Sequence, residues 1–266
     1  MENKIEKYLN LVLDSGFPYP KFSEDTLKKD YTKLLITCNK NAGQKLVQHF
    51  HPSIWRCNRY GYPSPLEAWS IPEVMYKVIE NRLKYLGTDE LSIYHIRNGL
   101  YISGKAPKVS IFRPALAKDL IKKYLEEYDT IFDPCCGYSG RMLGACALGK
   151  NYIGQDINSI TIKESKVLKD FLGLKADLKV KDSLYDSGKY ECLFTCPPYG
   201  SKENWAQDIE VLSADEWIDT CLKNYNCRAY LFVVDKTEKY KNYIVDKIKN
   251  TSHFGSNEEL VVLIKK

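Results

Sequence analysis

From Tyr128 onward the chain alternates short apolar runs with longer amphipathic stretches, the pattern of strands joined by crossover helices. Strands are predicted near Thr130–Asp133, Tyr152–Gln155, Lys179–Lys181, Tyr190–Thr195, Ala229–Val234 and Leu260–Ile264, and helices near Gly140–Leu148, Ser159–Phe171, Ala214–Tyr225 and Tyr240–Asn250. The fold class read from this order is α/β, a doubly wound Rossmann-like sheet with its ligands beyond the carboxyl ends of the strands. The first hundred residues differ. Leu27, Tyr31, Leu34 and Leu35 recur at helical spacing, as do Val74, Val78, Ile79 and Leu83. Ser70 and Glu73 suit a capping box for the second run, Pro72 its first turn and Gly87 its left-handed end. A short helix is predicted over Asp89–Asn98, stopping at Gly99. Helices separated by Gly87-Thr88 are either a helix-turn-helix or simply packed against each other.

A chain of 266 residues with 44% apolar content can bury one substantial core and a smaller accessory one. The expected division is 1–108, mainly helical, and 109–266, the sheet domain. No apolar run approaches the roughly 18 residues of a membrane span, and Glu2 and Glu6 stand where a signal peptide would be basic and then apolar. The expectation is a cytoplasmic protein with no membrane partner. Nine cysteines lie scattered without Cys-x-x-Cys spacing, which suits a reducing compartment. The net charge of +5 is all N-terminal: residues 1–108 hold 16 Lys and Arg against 11 Asp and Glu, and the remainder is balanced at 23 each. That asymmetry suits an N-terminal part that meets a polyanion, although an ordinary solvated surface would look the same.

Two strand ends carry candidate chemistry. Ile131-Phe132-Asp133-Pro134-Cys135-Cys136-Gly137-Tyr138-Ser139-Gly140-Arg141 is a strand, a tight glycine-containing turn and the start of a helix. Small residues there let a ligand approach the backbone; NAD is one candidate, although the turn does not keep the Gly-x-Gly-x-x-Gly order. The next strand ends at Asp156, 23 positions after Asp133, a spacing that brings adjacent strand ends together. An acidic group there either accepts both ribose hydroxyls or merely forms a turn. Asp182-Ser183 ends the third strand, where a lone acid is either functional or merely a turn former. The other candidate is Cys192-Leu193-Phe194-Thr195-Cys196-Pro197-Pro198-Tyr199-Gly200, an apolar strand leading into Pro-Pro-Tyr. Two prolines fix the backbone and leave its carbonyls outside the ladder, and the Tyr199 ring offers a stacking face. A planar nitrogen base fits such a site.

Cys196-Pro197-Pro198-Tyr199 resembles the (Asp, Asn or Ser)-Pro-Pro-Tyr signature of amino-methyltransferases that use S-adenosylmethionine (SAM), with cysteine in first place. The Asp133 turn resembles their Asp-Pro-x-x-Gly-x-Gly motif, with Ser139 where that form has its second glycine. The resemblance covers about residues 110–266, and the chain looks most like the small solitary DNA methylases of phages and mobile elements. It implies a SAM-methyltransferase sheet and an enzyme that methylates adenine N6 or cytosine N4 in DNA. Asp133, Pro134 and Gly137 would lie near the methionine end of SAM, with Phe112, Arg113 and Pro114 packed over it. Asp156 and the adjoining Ile157 would meet the ribose, and Asp182 and Ser183 the adenine. The Pro197 carbonyl and the Cys196 side chain would accept the two amine hydrogens, with Pro198 holding the turn and Tyr199 stacking on a flipped-out base. A nucleophilic Cys196 is the lesser reading, because cytosine-C5 methylases place their cysteine after the proline and this one precedes it. RNA amino-methylation is an alternative, since Gly200 extends the likeness to Asn-Pro-Pro-Tyr-Gly motifs found there. A non-catalytic nucleic-acid binder on a decayed methylase scaffold is another.

His49-Phe50-His51-Pro52-Ser53-Ile54-Trp55-Arg56-Cys57-Asn58-Arg59-Tyr60 interleaves cations with aromatic rings. Trp55, Arg56, Arg59 and Tyr60 are therefore the candidate nucleic-acid contacts, with DNA the expected partner and RNA the alternative. His49, His51 and Cys57 lack a second ligand pair at usual spacing, so no metal is expected.

Overall fold

The computed structural model describes residues 2–37, 39–59, 61–86, 90–106, 109–198, 203–204, 212–249 and 257–264. Helices α1 (Glu2–Asp14), α2 (Glu24–Ile36) and α3 (Gln44–Phe50) are followed by a 3-10 helix, Pro52–Arg56, and strand β1 (Asn58–Arg59). Then come α4 (Pro65–Trp69), α5 (Pro72–Tyr85), α6 (Ile93–Ile102) and α7 (Pro114–Tyr124). The next run is β2 (Thr130–Asp133), α8 (Gly140–Ala147), β3 (Asn151–Asp156), α9 (Ser159–Leu172), β4 (Ala176–Val180), β5 (Gly188–Lys189) and β6 (Cys192–Thr195). The chain continues through β7 (Glu203–Asn204), α10 (Ala214–Asn224), β8 (Tyr225–Asn226), β9 (Ala229–Val234), β10 (Ile244–Lys249) and β11 (Asn257–Ile264). Two compact units result. One is Met1–Pro20, Pro52–Val109 and Ser201–Gln207; the other is Lys21–His51, Ser110–Gly200 and Asp208–Lys266. Lys21–His51, which lies within the predicted 1–108 region, thus belongs to the unit that holds the sheet.

In the helical unit, Ile5, Val12, Trp69, Val78, Ile79, Ile96 and Leu100 form one core. The expected Ser70–Glu73 capping box does not form. Ser70 ends α4 with φ −96° and ψ 4°, not the extended backbone an N-cap needs, and the box belongs to Ser64 and Glu67 one helix earlier. Helix α6 starts at Ile93, capped by Ser92, and runs through Gly99 instead of stopping there. A Cβ at Gly99 would lie 2.7 Å from Arg82 Cγ and 2.8 Å from Val78 Cγ1, so this glycine serves the close approach of α5 and α6. Gly87, the predicted cap, lies outside the described residues.

In the other unit seven strands form one sheet in the order β10-β11-β9-β6-β2-β3-β4. Strands β4, β3, β2, β6 and β9 are parallel, whereas β11 runs antiparallel to both β9 and β10. Strands β6 and β9 are buried at every position, as expected of central parallel strands covered on both faces. The fold is α/β and doubly wound. From β2 the chain builds β3 and β4 on one side and then returns to β6 on the other, so the order switches between β2 and β6. Ligand sites in such sheets lie at this point, beyond the carboxyl ends, and Asp133 and Thr195 end these two strands.

The helix predicted over Tyr240–Asn250 is a correction. A 3-10 turn, Lys241–Tyr243, leads into β10, which pairs with β11 from Ile244↔Val261 to Lys249↔Asn257. Without it β11 would be left as an edge, and Ile244 and Val245 favour extended backbone. Strand β4 also begins earlier than expected, at Ala176, in register with Tyr152.

Candidate functional site

Strand β2 delivers Asp133 to the switch point with its carboxylate fully buried. Oδ2 accepts from Arg141 Nε at 2.6 Å and from the Tyr152 hydroxyl at 2.6 Å, and Oδ1 accepts from Thr195 Oγ1 at 2.8 Å and Cys135 N at 3.2 Å. Arg141 also donates to the Cys135 carbonyl, closing a loop around the turn. Burial alone would depress the Arg141 guanidinium, but Asp133 more than compensates and holds it charged. Burial pushes the Tyr152 phenol well up, with Asp133 adding to it, so the hydroxyl remains a donor. The carboxylate thus ties β2, β3, β6 and the first turn of α8 together. It faces the protein's own donors, and Arg141, Tyr152 and Thr195 become its partners only once the strands are adjacent.

The turn itself is Pro134 to Ser139. Cys136 N donates to the Gln155 carbonyl at 2.7 Å, and Gly137 N to Asp156 Oδ2 at 2.9 Å, so the turn is pinned to the end of β3. Gly137 has φ 53°, and a Cβ placed on it would meet nothing within 4 Å; the backbone borders open space on that side. Gly140 is the opposite case, because its Cβ would fall 1.9 Å from the Phe112 carbonyl oxygen. The segment Phe112-Arg113-Pro114 therefore lies directly on the start of α8, with Pro114 opening α7. The Phe112 ring sits under the Arg141 guanidinium at 5.0 Å and meets Phe194 edge-on at 5.7 Å.

Asp156 is half-buried at the end of β3, and its other oxygen accepts from Asn158 N at 2.9 Å. Burial raises its carboxyl above the ordinary value, and the N–H donors offset this only in part. Ile157 beside it is 46% exposed, an apolar side chain left uncovered next to an acid. Asp182 accepts from Leu184 N at 2.9 Å, forming a turn, and Ser183 Oγ lies 3.5 Å from Cys135 Sγ. Asn224 and Tyr225 donate to the Ser183 carbonyl at 3.2 and 3.1 Å, which anchors this third strand end. Burial pushes the Cys135 thiol up to about 12 and the Cys136 thiol well up, so both stay protonated as packing groups of the turn.

After β6, Cys196 is half-buried, Pro197 buried and Pro198 half-buried, in irregular backbone. Tyr199 lies outside the described residues, as does Tyr60. Trp55 requires correction as a nucleic-acid contact. It is 2% exposed, with Phe17 at 5.4 Å, Tyr101 at 5.7 Å and the Arg97 guanidinium at 5.3 Å, so its ring is spent on the helical unit's own core. Arg56 is exposed, and the Arg59 backbone pairs with Glu203. His49 Nδ1 accepts from Phe22 N at 3.1 Å, and His51 bonds to Ser139 and Glu164.

No family model and no curated protein sequence matches the chain. Among solved structures, it is similar to magnesium protoporphyrin IX methyltransferase (ChlM) of Synechocystis PCC 6803 with bound SAM. The identity is 10% and the TM-score 0.44, over 70% of this chain and 91% of that one. TehB of Haemophilus influenzae is 12% identical with a TM-score of 0.43, over 64% of this chain and 66% of that one. The 16S rRNA N2 G1207 methyltransferase (RsmC) of T. Thermophilus, in complex with AdoMet and guanosine, is 14% identical with a TM-score of 0.43. That match covers 61% of this chain and 45% of RsmC.

Proposed function

We propose that the chain is a SAM-dependent methyltransferase that acts on an exocyclic amine of a nucleic-acid base, adenine N6 or cytosine N4 in DNA. What supports this most is one convergence. The glycine turn after β2, Asp156 after β3 and Pro197-Pro198 after β6 all stand at carboxyl ends beside the switch point. The residues fit SAM: Gly137 borders open space, and Asp156, with each oxygen holding one N–H, keeps acceptor capacity for ribose hydroxyls. Ile157 would lie beside Asp156 at the ribose, and Asp182 and Ser183 would meet the adenine. Pro134 and Phe112-Arg113-Pro114 would flank the methionine end, while Asp133 acts from beneath by holding Arg141 and the turn.

When bound, SAM supplies an electrophilic methyl group. The nucleophile is an exocyclic amine whose lone pair is delocalised into its ring. The Pro197 carbonyl and Cys196 would accept the amine hydrogens and turn the lone pair outward, with Pro198 fixing the loop and Tyr199 stacking on the base. A thiol is a weaker acceptor than Asp, Asn or Ser, so the carbonyl would bear most of this task. Alignment of two reactants supplies up to about 7–11 kcal/mol at the ideal limit. The amine hydrogen lost on methylation would pass to water, because the positively charged methylated amine is a strong acid, and no strong base is required. Arg56 and Arg59 of the basic N-terminal region are the proposed phosphate contacts.

Incubation with methyl-labelled SAM and either duplex DNA or total RNA, followed by nucleoside mass spectrometry, tests the reading. N6-methyladenine or N4-methylcytosine in DNA is expected. Label only in RNA would move the substrate to RNA, and SAM binding without turnover would favour the non-catalytic binder.

Asp156→Ala is expected to weaken SAM binding by roughly ten- to a hundredfold, as removal of a bidentate charged acceptor does. The ionised carboxylate is the form that accepts from Gly137 and Asn158, and its folded pKa is raised. Acidification should therefore reduce SAM affinity beginning at a higher pH than an ordinary aspartate would give. Calorimetric titration across pH 4–7 checks this, and a flat profile for wild type would remove Asp156 from the site.

A further inference from the structure

We infer that His51 is a positioning residue for the cofactor turn, holding Ser139 in the left-handed conformation on which the turn depends; this rests on the proposed SAM site. Ser139 is the non-glycine residue with positive φ among those described, at φ 63° and ψ 6°. Any residue with a Cβ is disfavoured there, so neighbouring contacts must hold it. Ser139 Oγ lies 2.7 Å from Ser165 Oγ and 3.0 Å from His51 Nε2, and His51 Nδ1 lies 3.2 Å from Glu164 Oε2. A carboxylate only accepts, so Nδ1 carries a hydrogen and Nε2 of the neutral ring accepts; the one Ser139 hydroxyl hydrogen is therefore shared between His51 Nε2 and Ser165 Oγ. The order serine, histidine, carboxylate is also that of a hydrolytic triad. Ser139 is 2% exposed and His51 0%, however, so a substrate carbonyl has no path to the hydroxyl and the set can only position.

His51 reaches the turn on a segment anchored independently of it. Asp30 caps α3 by accepting from Lys45 N at 2.9 Å and Leu46 N at 3.4 Å, a task that Gly43 at the N-cap leaves open. Lys118 on α7 donates to the Leu34 and Leu35 carbonyls at 2.6 and 2.8 Å, tying down the last turn of α2. A Cβ on Gly43 would meet Pro114 Cβ at 2.8 Å, and Phe50 packs on Phe171 of α9 with centroids 5.0 Å apart. His51 closes α3 through its own N–H to the Val47 carbonyl at 3.1 Å. The ring is thus fixed before the turn uses it. If the turn has other shapes available once the ring is gone, the binding-competent fraction falls and apparent affinity falls with it.

Calorimetric titration of the full chain with SAM and S-adenosylhomocysteine tests this in four proteins: wild type, His51→Ala, Ser139→Gly and the double variant. His51→Ala is expected to bind roughly tenfold more weakly. Ser139→Gly, free to adopt positive φ, sets its own reference affinity, and in that background the added His51→Ala change should be nearly silent. Glu164→Gln, which leaves the ring in place, should weaken binding by about threefold and serves if His51→Ala does not fold by circular dichroism. Equal binding by His51→Ala and wild type overturns the inference. So does the same loss in the Ser139→Gly background, which would mark His51 as generally structural. If wild type binds neither ligand, the SAM reading of the turn falls first and this inference with it.

Discussion

Gly140→Ala is expected to destabilise the sheet unit by about 3 kcal/mol or more and to weaken SAM binding with it. The added Cβ would stand 1.9 Å from the Phe112 carbonyl oxygen and 2.9 Å from its carbonyl carbon, both backbone atoms that no rotamer change can move aside. Relief requires the Phe112-Arg113-Pro114 segment to lift from α8. The Phe112 ring would then leave Arg141 and Phe194, so the loss reaches the wall of the proposed site as well as the packing. Urea unfolding measures it as a lower midpoint at unchanged slope. Gly16→Ala is the matched control, since a Cβ there meets nothing within 4 Å and the change should lie within about 0.5 kcal/mol. A comparably small loss at Gly140 would mean that the Phe112 segment swings away freely and is no fixed wall.

Asp133→Ala is expected to cost about 3–5 kcal/mol, the penalty for breaking a buried pair from one side. Arg141 would remain buried with its charge faced by the Cys135 carbonyl and the Phe112 ring but by no anion in contact, while Tyr152 and Thr195 would lose the Asp133 acceptor. Tyr152→Phe removes only one donor and should cost about 1 kcal/mol. The informative comparison is Asp133→Leu with Arg141→Met, which removes both charges. It should recover part of the stability, because a buried pair contributes little over apolar packing. It should not recover SAM binding, since the turn loses the guanidinium that clasps Cys135. Denaturant unfolding together with titration separates the two effects. Recovery of binding in the double variant would show that the turn holds its shape without Asp133.

Much of this arrangement is legible along the chain because the relevant signals are local. Alternating apolar runs place β2, β3, β6 and β9, and the caps, glycines and prolines around them locate α8 and α9. A glycine turn directly after an apolar run, an acid one β–α unit later and Pro-Pro after a fourth strand are short-range patterns. They identify the strand ends that a doubly wound sheet then gathers. What the chain alone leaves open depends on partners distant in sequence. Asp133 turned inward because Arg141, Tyr152 and Thr195 come from three different elements and supply donors to a carboxylate with no water to use. Trp55 looked like a stacking platform beside arginines, but Phe17 and Tyr101 bury its ring. Within the predicted Tyr240–Asn250 helix, Ile244–Lys249 is a strand because β11 presents backbone for it to pair with. His51 and Ser139 stand 88 residues apart and meet only because α3 packs against α9 within the sheet unit. Local periodicity and turn chemistry were thus enough for the fold class and the strand ends, since backbone sterics act over a few residues. The direction each polar group faces was decided by tertiary contact, since a buried donor or acceptor must find its partner wherever the fold provides one.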